Sequence, residues 1–396
     1  MSDYVLVINA GSSSLKYSLV DAATGEAPAV GLIEQIGEAK GHHSHKGPDG
    51  ELSTDLKVAN HEDALRAALD AFASHGPSLD DIEIAAIGHR VVHGGSQFGD
   101  PALIDDDLVA AVTDLVPLAP LHNPANLEGI KVARRLFPDL QQVAVFDTAF
   151  HQTLPPAAYT YALPLDLRDD HGIRRYGFHG TSYALVSAEA ARLLGRDLAD
   201  VNLIVLHLGN GCSAAAIRGG ASVDTSMGMT PLEGLVMGTR SGDVDPAIHA
   251  HLVRELGRSV EEIDHLLNKE SGLKGLAGGN DFRELSSRRE AGDPQAELAF
   301  DVYCHRIKKY IGAYYAVLGT VDAIVFTAGV GQHSAPARAA SLTGLEGLGI
   351  QLDADRNTAS SNDARAISTD DSRVAVLVIP TNEEWQIARE TIDLIG

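Results

Sequence analysis

The chain has 396 residues and a formal net charge of −23, from 31 Lys and Arg against 54 Asp and Glu. That length exceeds what one hydrophobic core supports and points to two domains. The acidity, with no basic patch, argues against a nucleic-acid partner, so any anion site must be built locally from Arg, Lys or backbone N–H groups.

The two cysteines, Cys212 and Cys304, lie far apart and make no disulfide framework. No apolar run approaches the roughly 18 residues of a membrane span. The opening MSDYVLVINAG has no basic n-region, and a cytoplasmic protein is expected.

Strand-like apolar runs at 4–8, 84–87, 143–146, 203–208, 323–327 and 374–379 alternate with amphipathic helical stretches at 61–74, 124–136, 182–194 and 246–256. That alternation reads as α/β. The first strand enters NAGSSSLK. Its small residues let backbone N–H groups approach a phosphate and Lys16 adds charge, although a plain β-hairpin with a surface lysine accounts for it equally. It is not a Walker A loop, because G-x-x-x-x-G-K-[ST] occurs nowhere. The segment 41–54, with GHHSHKGPDGE, reads as an exposed loop, and His42, His43 and His45 as solvated rather than metal-binding.

GHRVVHGG sets Arg90 among glycines and apolar residues after a strand, suited to a bidentate anion contact, with an arginine in an ordinary surface loop as the alternative. FDTAFHQ places Asp147 at the carboxyl end of a strand, where open α/β sheets hold ligands, although a turn or capping Asp accounts for it equally. In YGFHGTS, His179 precedes a helix whose expected cap is Thr181 or Ser182. HLGNGCSA carries G-x-G-x-x-A after a strand, but no helix follows. A phosphate-facing hairpin is preferred there over a dinucleotide fold. This stretch and the opening one both read strand, Gly-rich turn, strand, a faint internal repeat with a boundary near 150. Arg240 lies in a Gly-flanked turn, and GGNDFRE and TAGVGQHSAPAR are two further Gly-rich turns. Ser259 with Glu262, and Thr381 with Glu384, match capping boxes, the second leaving Glu383 to point elsewhere.

Taken together, NAGSSSLKY, GHRVVHGG, PLHNP, FDTAFHQ, YGFHGTS, HLGNGCS, DTSMGMTPLEGLVMGTRSGDVDP and TNEE resemble the signatures of the acetate kinase family, in order and over almost the whole chain. The resemblance implies an α/β fold of two domains, each with the βββαβαβα core of ribonuclease H-like, actin-like ATPases, and a nucleotide in the cleft between them. Residues 1–150 would form the first domain, with the helix 385–396 packed back on it. Residues 151–384 would form the second, with most nucleotide loops. It also implies a homodimer.

By the same resemblance, Arg90 binds the carboxylate, Asp147 is the active-site carboxylate, and His179 and Arg240 stabilise the transition state. Val92, Leu121, Phe178 and Pro231 surround the acetate methyl. Asn9, Ser12 and Lys16 lie at the phosphates, and Asn9 with Glu383 at Mg²⁺, for which Mn²⁺ could substitute. The nucleotide loops are His207, Leu208, Gly209, Asn210 and Gly211; Asp281, Phe282 and Arg283; and Gly329, Val330, Gly331, Gln332 and His333. The last departs from the family's G-I-G-E-N, which leaves nucleotide preference open.

The implied reaction is reversible in-line transfer of phosphoryl from ATP to acetate, giving acetyl phosphate and ADP. A carboxylate acceptor, with a pKa of about 4.3 like Glu, is already ionised, so it needs charge neutralisation more than a base. Asp147 is therefore expected to orient an arginine, Arg240 first; with a hydroxyl acceptor it would instead serve as base. A polyol kinase and a non-catalytic nucleotide switch are the alternatives. Two arginines and a small apolar pocket weigh against the first, and the second would have no use for Arg90, His179 and that pocket.

Overall fold

The computed structural model describes residues 3–79 and 81–396. The chain divides into two compact units, Met1–Gln152 with Asn382–Gly396, and Thr153–Thr381.

The first unit is built on an eight-stranded sheet: β1 (Tyr4–Ala10), β2 (Ser14–Asp21), β3 (Ala29–Glu34), β4 (His42–Gly47), β5 (Gly50–Asp55), β6 (Ile84–Val91), β7 (Ala102–Leu103) and β8 (Gln142–Phe146). The spatial order is β5-β4-β3-β2-β1-β6-β8-β7. β1 to β5 form an antiparallel meander, whereas β6 and β8 run parallel to β1. Alternate residues of β1 serve opposite faces. Leu6 and Ile8 join Phe72 and Val132 of the helices His61–His75 and Asn123–Leu136. Val5 and Val7 join Ile387 and Ala388 of the helix Glu383–Ile395. With helices on both faces, β8 is buried throughout, as its unbroken apolar run requires. Gly88 sits where the last helix crosses β6; a Cβ there would meet Thr391 Oγ1 at 2.7 Å.

Residues 41–54, expected as an exposed loop, are instead the β4–β5 hairpin, and His43 and His45 are each only 2% exposed. The reason is Tyr17, whose buried hydroxyl bonds His43 Nε2 at 2.9 Å and His45 Nδ1 at 2.8 Å. A buried phenol needs partners, and two histidines spaced by two supply them from one face of a strand.

The second unit holds β9 (Asn202–Leu208), β10 (Cys212–Arg218), β11 (Ala221–Thr225), β12 (Ala323–Thr327), β13 (Arg365–Ala366) and β14 (Ala375–Val378). Their order is β11-β10-β9-β12-β14-β13. β9 to β11 are antiparallel, β12 and β14 run parallel to β9, and β13 closes the edge antiparallel. This repeats β3-β2-β1-β6-β8-β7 strand for strand, so the ribonuclease H-like core is present twice. The faint sequence repeat corresponds to the equivalent hairpins β1–β2 and β9–β10. The helix Pro294–Leu318 buries Ala299, Phe300, Tyr303, Ile307, Ile311 and Tyr314, one stripe at helical spacing. The Ser259–Glu262 capping box forms as read. Among the described residues, no helix is long and apolar enough to cross a membrane.

Candidate active site

In the first unit, three functional candidates lie at the carboxyl ends of parallel strands. The register pairs Ile8 with His89 and Val91 with Phe146, which sets Asn9 and Arg90 near the ends of β1 and β6 and Asp147 just beyond β8. Arg90 and Asp147 meet in a fork: Nε donates to Oδ1 at 2.9 Å and Nη2 to Oδ2 at 2.8 Å. Glu383 approaches the third guanidinium nitrogen, Nη1, at 4.0 Å. Burial works against the Arg90 charge, but Asp147 and Glu383 outweigh it and raise its pKa further. Burial pushes the Asp147 carboxyl up, opposed by the Arg90 guanidinium. The expectation that Asp147 orients Arg240 is therefore corrected: its partner is Arg90, because the β6–β8 register sets their side chains together.

Lys16 lies within β2, opposite Asn9, and forms an ion pair with Glu384. This also corrects the expected second capping box. Glu384 is spent on Lys16, and the last helix is capped by Asn382, whose Oδ1 accepts the Trp385 N–H at 3.1 Å. Glu383 Oε1 is buried with no hydrogen-bond partner among the described residues. An orphaned carboxylate oxygen on a residue that also approaches Arg90 suits a divalent cation. Ser12 is exposed in the hairpin turn. Val92 is half-buried and Leu121 is 45% exposed.

Two asparagines that sequence reasoning passed over shape this end of the sheet. Asn126 accepts the Val92 N–H at 3.0 Å and donates to the Ala10 carbonyl at 2.8 Å, tying the ends of β1 and β6. Asn123 bonds both backbone groups of His93. Asn123 was marked only by its place in PLHNP, at the start of a helix, and Asn126, two residues past that stretch, carried no signal.

In the second unit, His179 is itself the residue preceding the helix Gly180–Leu193, in left-handed backbone with φ 62°, rather than Thr181 or Ser182 acting as cap. That conformation is costly for a non-glycine residue and marks a side chain held in place. The His179 and His207 rings stack, with centroids 4.1 Å apart. The turn Gly209–Gly211 closes through Gly209 N–H to the Gly211 carbonyl at 3.1 Å. A Cβ built on Gly211 would lie 3.6 Å from both Arg240 Nη1 and His179 Nε2, and one on Gly209 would lie 3.8 Å from His207 Nε2. Arg240 and both imidazoles thus converge on the glycine turn.

Arg240 donates to the Pro231 carbonyl at 3.0 Å, and no ion pair engages it among the described residues. Burial lowers its pKa. A half-buried guanidinium without a carboxylate is built to receive an anion. Phe178 is 1% exposed. The segment carrying Pro231 is braced by Arg175, absent from the expected set, which donates to the Thr225, Ser226 and Met227 carbonyls and to Glu233 at 2.5 Å.

A cavity of about 890 Å³ opens beside the turn, lined by Gly209, Asn210, Asp281, Phe282, Arg283, Gly329, Val330 and His333 among others. His207, Leu208, Gly211, Gly331 and Gln332 are not in its lining. Gly329–His333 is not a turn but part of a short helix, Ala328–His333. Arg338 holds it, donating to the Gly331 and Gln332 carbonyls. Asp281 caps the helix Phe282–Glu290, and its hydrogen bonds with Arg283 hold its carboxyl down to about 2.

Two α/β units of ribonuclease H-like topology, with a glycine-floored cavity and a converged set of anion donors in the second, define a phosphotransferase of the actin-like ATPase type. The model of the acetokinase family matches residues 4–389, and the chain belongs to that family. It is 58% identical to the acetate kinase of Streptomyces avermitilis, over 99% of this chain and 97% of that one. The crystal structure of Porphyromonas gingivalis acetate kinase superposes with a TM-score of 0.94 at 42% identity, covering 100% of both chains. A propionate kinase from Francisella tularensis superposes at 0.93 with 43% identity, over 98% of each.

Proposed function

We propose that the chain catalyses Mg²⁺-dependent, reversible transfer of the γ-phosphoryl group of ATP to acetate, giving ADP and acetyl phosphate. The observation that carries this reading is the convergence of Arg240 Nη1 and His179 Nε2 on Gly211 beside the cavity. Phosphoryl transfer to an ionised carboxylate is chiefly a problem of holding anions together and neutralising charge, and this site supplies donors rather than a base.

In this reading the nucleotide occupies the cavity of the second unit, with His207–Gly211, Asp281–Arg283 and Gly329–His333 around it. Arg90 binds the acceptor carboxylate. Asp147 takes Nε and Nη2 in a fixed fork and so sets the direction of Nη1. A carboxylate locked in that fork is poorly placed to act as a base, which weighs against a polyol acceptor. Val92, Leu121, Phe178 and Pro231 line the methyl pocket. Ser12 and Lys16 serve the phosphates. Asn9 and Glu383 hold the Mg²⁺ shell, and Mn²⁺ can replace it. The cation's contribution is to neutralise phosphate charge. The protein works in the cytoplasm as a homodimer. The helix Ala247–Leu256 buries no residue, and Ile248, Val253 and Leu256 on it stand exposed for a second copy to cover.

The test is acyl-phosphate formation trapped with hydroxylamine, with ATP, Mg²⁺ and separately acetate, propionate, butyrate or glycerol. Hydroxamate from acetate, less from propionate and none without Mg²⁺ is expected. One methylene is worth about 1–3 kcal/mol in such a pocket, so propionate turnover should trail by tenfold or more. ATP binding without hydroxamate from any carboxylate would overturn the reading.

A further inference from the structure

Each of the stacked imidazoles is backed by a serine, and each serine by a second hydroxyl. His179 Nδ1 lies 2.8 Å from Ser213 Oγ, which lies 2.5 Å from the Tyr183 hydroxyl. His207 Nδ1 lies 2.8 Å from Ser182 Oγ, which accepts from Thr381 Oγ1 at 2.9 Å. Ser182, Ser213, Tyr183 and Thr327, which pairs with His207 across β9 and β12, are all buried. The two arrangements come from different elements: Ser213 from β10 and Tyr183 from the helix Gly180–Leu193, Ser182 from that helix and Thr381 from the segment after β14.

A serine hydroxyl has one proton to donate. Its oxygen has two lone pairs, so while it accepts from a second hydroxyl its own proton is available to the imidazole nitrogen on its other side. Thr381 donates to Ser182, which leaves the Ser182 proton for His207 Nδ1. Tyr183 is a phenol, a stronger donor and weaker acceptor than an aliphatic hydroxyl. With the phenol as donor to Ser213, the Ser213 proton is left for His179 Nδ1. A neutral imidazole that accepts at Nδ1 carries its proton on Nε2. Both Nε2 atoms face the Gly209–Gly211 turn, at 3.6 and 3.8 Å from the points where Cβ atoms on Gly211 and Gly209 would stand.

We propose that these two hydroxyl relays lock both imidazoles in the Nε2–H tautomer, so that the stacked pair presents two N–H donors toward the glycine turn. Ser213, Tyr183, Ser182 and Thr381 are then positioning residues for phosphoryl transfer. The catalytic consequence rests on the function proposed above; the tautomer does not. A neutral donor suits this position, because it stabilises developing negative charge without a proton changing hands. The relays also explain the left-handed backbone of His179. A ring tethered at Nδ1 from β10 and stacked on His207 is over-determined, which is the condition under which such backbone persists.

The test uses the full chain labelled with ¹⁵N-histidine. Long-range ¹H–¹⁵N correlations at about pH 8.5, where an ordinary imidazole is neutral, separate the two tautomers by their nitrogen shifts. The His179 and His207 signals are assigned by their loss in His179→Asn and His207→Asn. Both rings are expected to show protonated Nε2 and unprotonated Nδ1. Ser213→Ala should move only His179 toward a tautomer mixture, Ser182→Ala only His207, and Ser213→Thr should restore the parent spectrum. Tyr183→Phe, which keeps the aromatic volume, supplies the same test if Ser213→Ala does not fold. A protonated Nδ1 on either ring of the parent protein, or unchanged shifts in both Ser213→Ala and Tyr183→Phe, overturns the proposal.

Turnover is read on the same samples. Ser213→Ala is expected to lower kcat by about 10–100-fold, the usual cost of losing a group that orients a functional histidine, with KM for acetate within twofold. Shifted tautomers with unchanged turnover would leave the relays standing and remove His179 from the transition state.

Discussion

Replacing Asp147 with Asn removes one charge from a buried fork and leaves its shape. The carboxylate is 2% exposed and the Arg90 side chain 19%, with both guanidinium bonds at 2.8–2.9 Å. Deleting one partner of a fully buried pair costs about 3–5 kcal/mol. Here the remaining cation is one-fifth exposed, Glu383 stays at 4.0 Å, and Asn keeps one acceptor for Nε. The expected loss of stability is about 2–3 kcal/mol, measured by urea unfolding. Opposing N–H groups at Nη2 turn the guanidinium from its direction, and kcat/KM for acetate should fall by about 10²–10⁴. If Asp147 acts through Arg90, the double variant with Arg90→Ala should be no slower than Arg90→Ala alone, within about twofold. The hydroxamate assay on the four proteins of this cycle decides it. An Asp147→Asn enzyme within threefold of the parent, or losses that multiply in the double variant, would refute the reasoning.

Acid should destabilise the first unit earlier than carboxylate titration alone would. Burial pushes His43 and His89 down to about 4, so both are neutral in the folded chain across the neutral range. The unfolded state, with pKa near 6.5, binds their protons first, so stability is full above that pH and drains as pH falls toward 4. From pH 7 to 5 each histidine costs about 2 kcal/mol by linkage. Urea midpoints over that range should fall, and less steeply in His89→Gln. Gly211→Ala should fold normally, since its Cβ has 3.6 Å of clearance, yet lose at least about tenfold in turnover because the methyl stands between Arg240 and His179; an unimpaired enzyme would mean that no ligand passes there. Glu383→Gln should raise the Mg²⁺ concentration for half-maximal turnover by about 10–100-fold and leave the folded state intact by circular dichroism. An unchanged requirement would remove Glu383 from the metal shell.

Much of this architecture was legible because its cues are local. The runs at 203–208 and 323–327 are unbroken and apolar because β9 and β12 are covered on both faces. The glycine turns after β1 and β9 interrupt them at equivalent places. Pairings across distant strands were less accessible. HHSHK reads as polar surface until Tyr17, 26 residues earlier, is known to bring a phenol beneath it. Asp147 was recognisable at a strand end, but whether it met Arg90 or Arg240 depended on the β6–β8 register, which no spacing encodes. Thr381 looked like a cap and is instead a hydroxyl behind Ser182, while Asn382 caps the helix. Buried polar groups choose partners through the whole fold, and their sequence neighbours say little about which.

The first unit is interrupted: its core beneath β1, β6 and β8 is finished by Ile387 and Ala388, which follow the entire Thr153–Thr381 unit in the chain. During synthesis, therefore, the earliest strands leave the ribosome with one apolar face uncovered and stay so until the last helix emerges. Glu383 and Glu384 arrive on that same helix, so Arg90 and Lys16 gain these acidic neighbours at the moment the core closes. The nascent polypeptide cannot bring Glu383 to Arg90 or Glu384 to Lys16 before that helix docks. Closure of the core and delivery of both acidic residues are thus one event, the docking of a thirteen-residue helix.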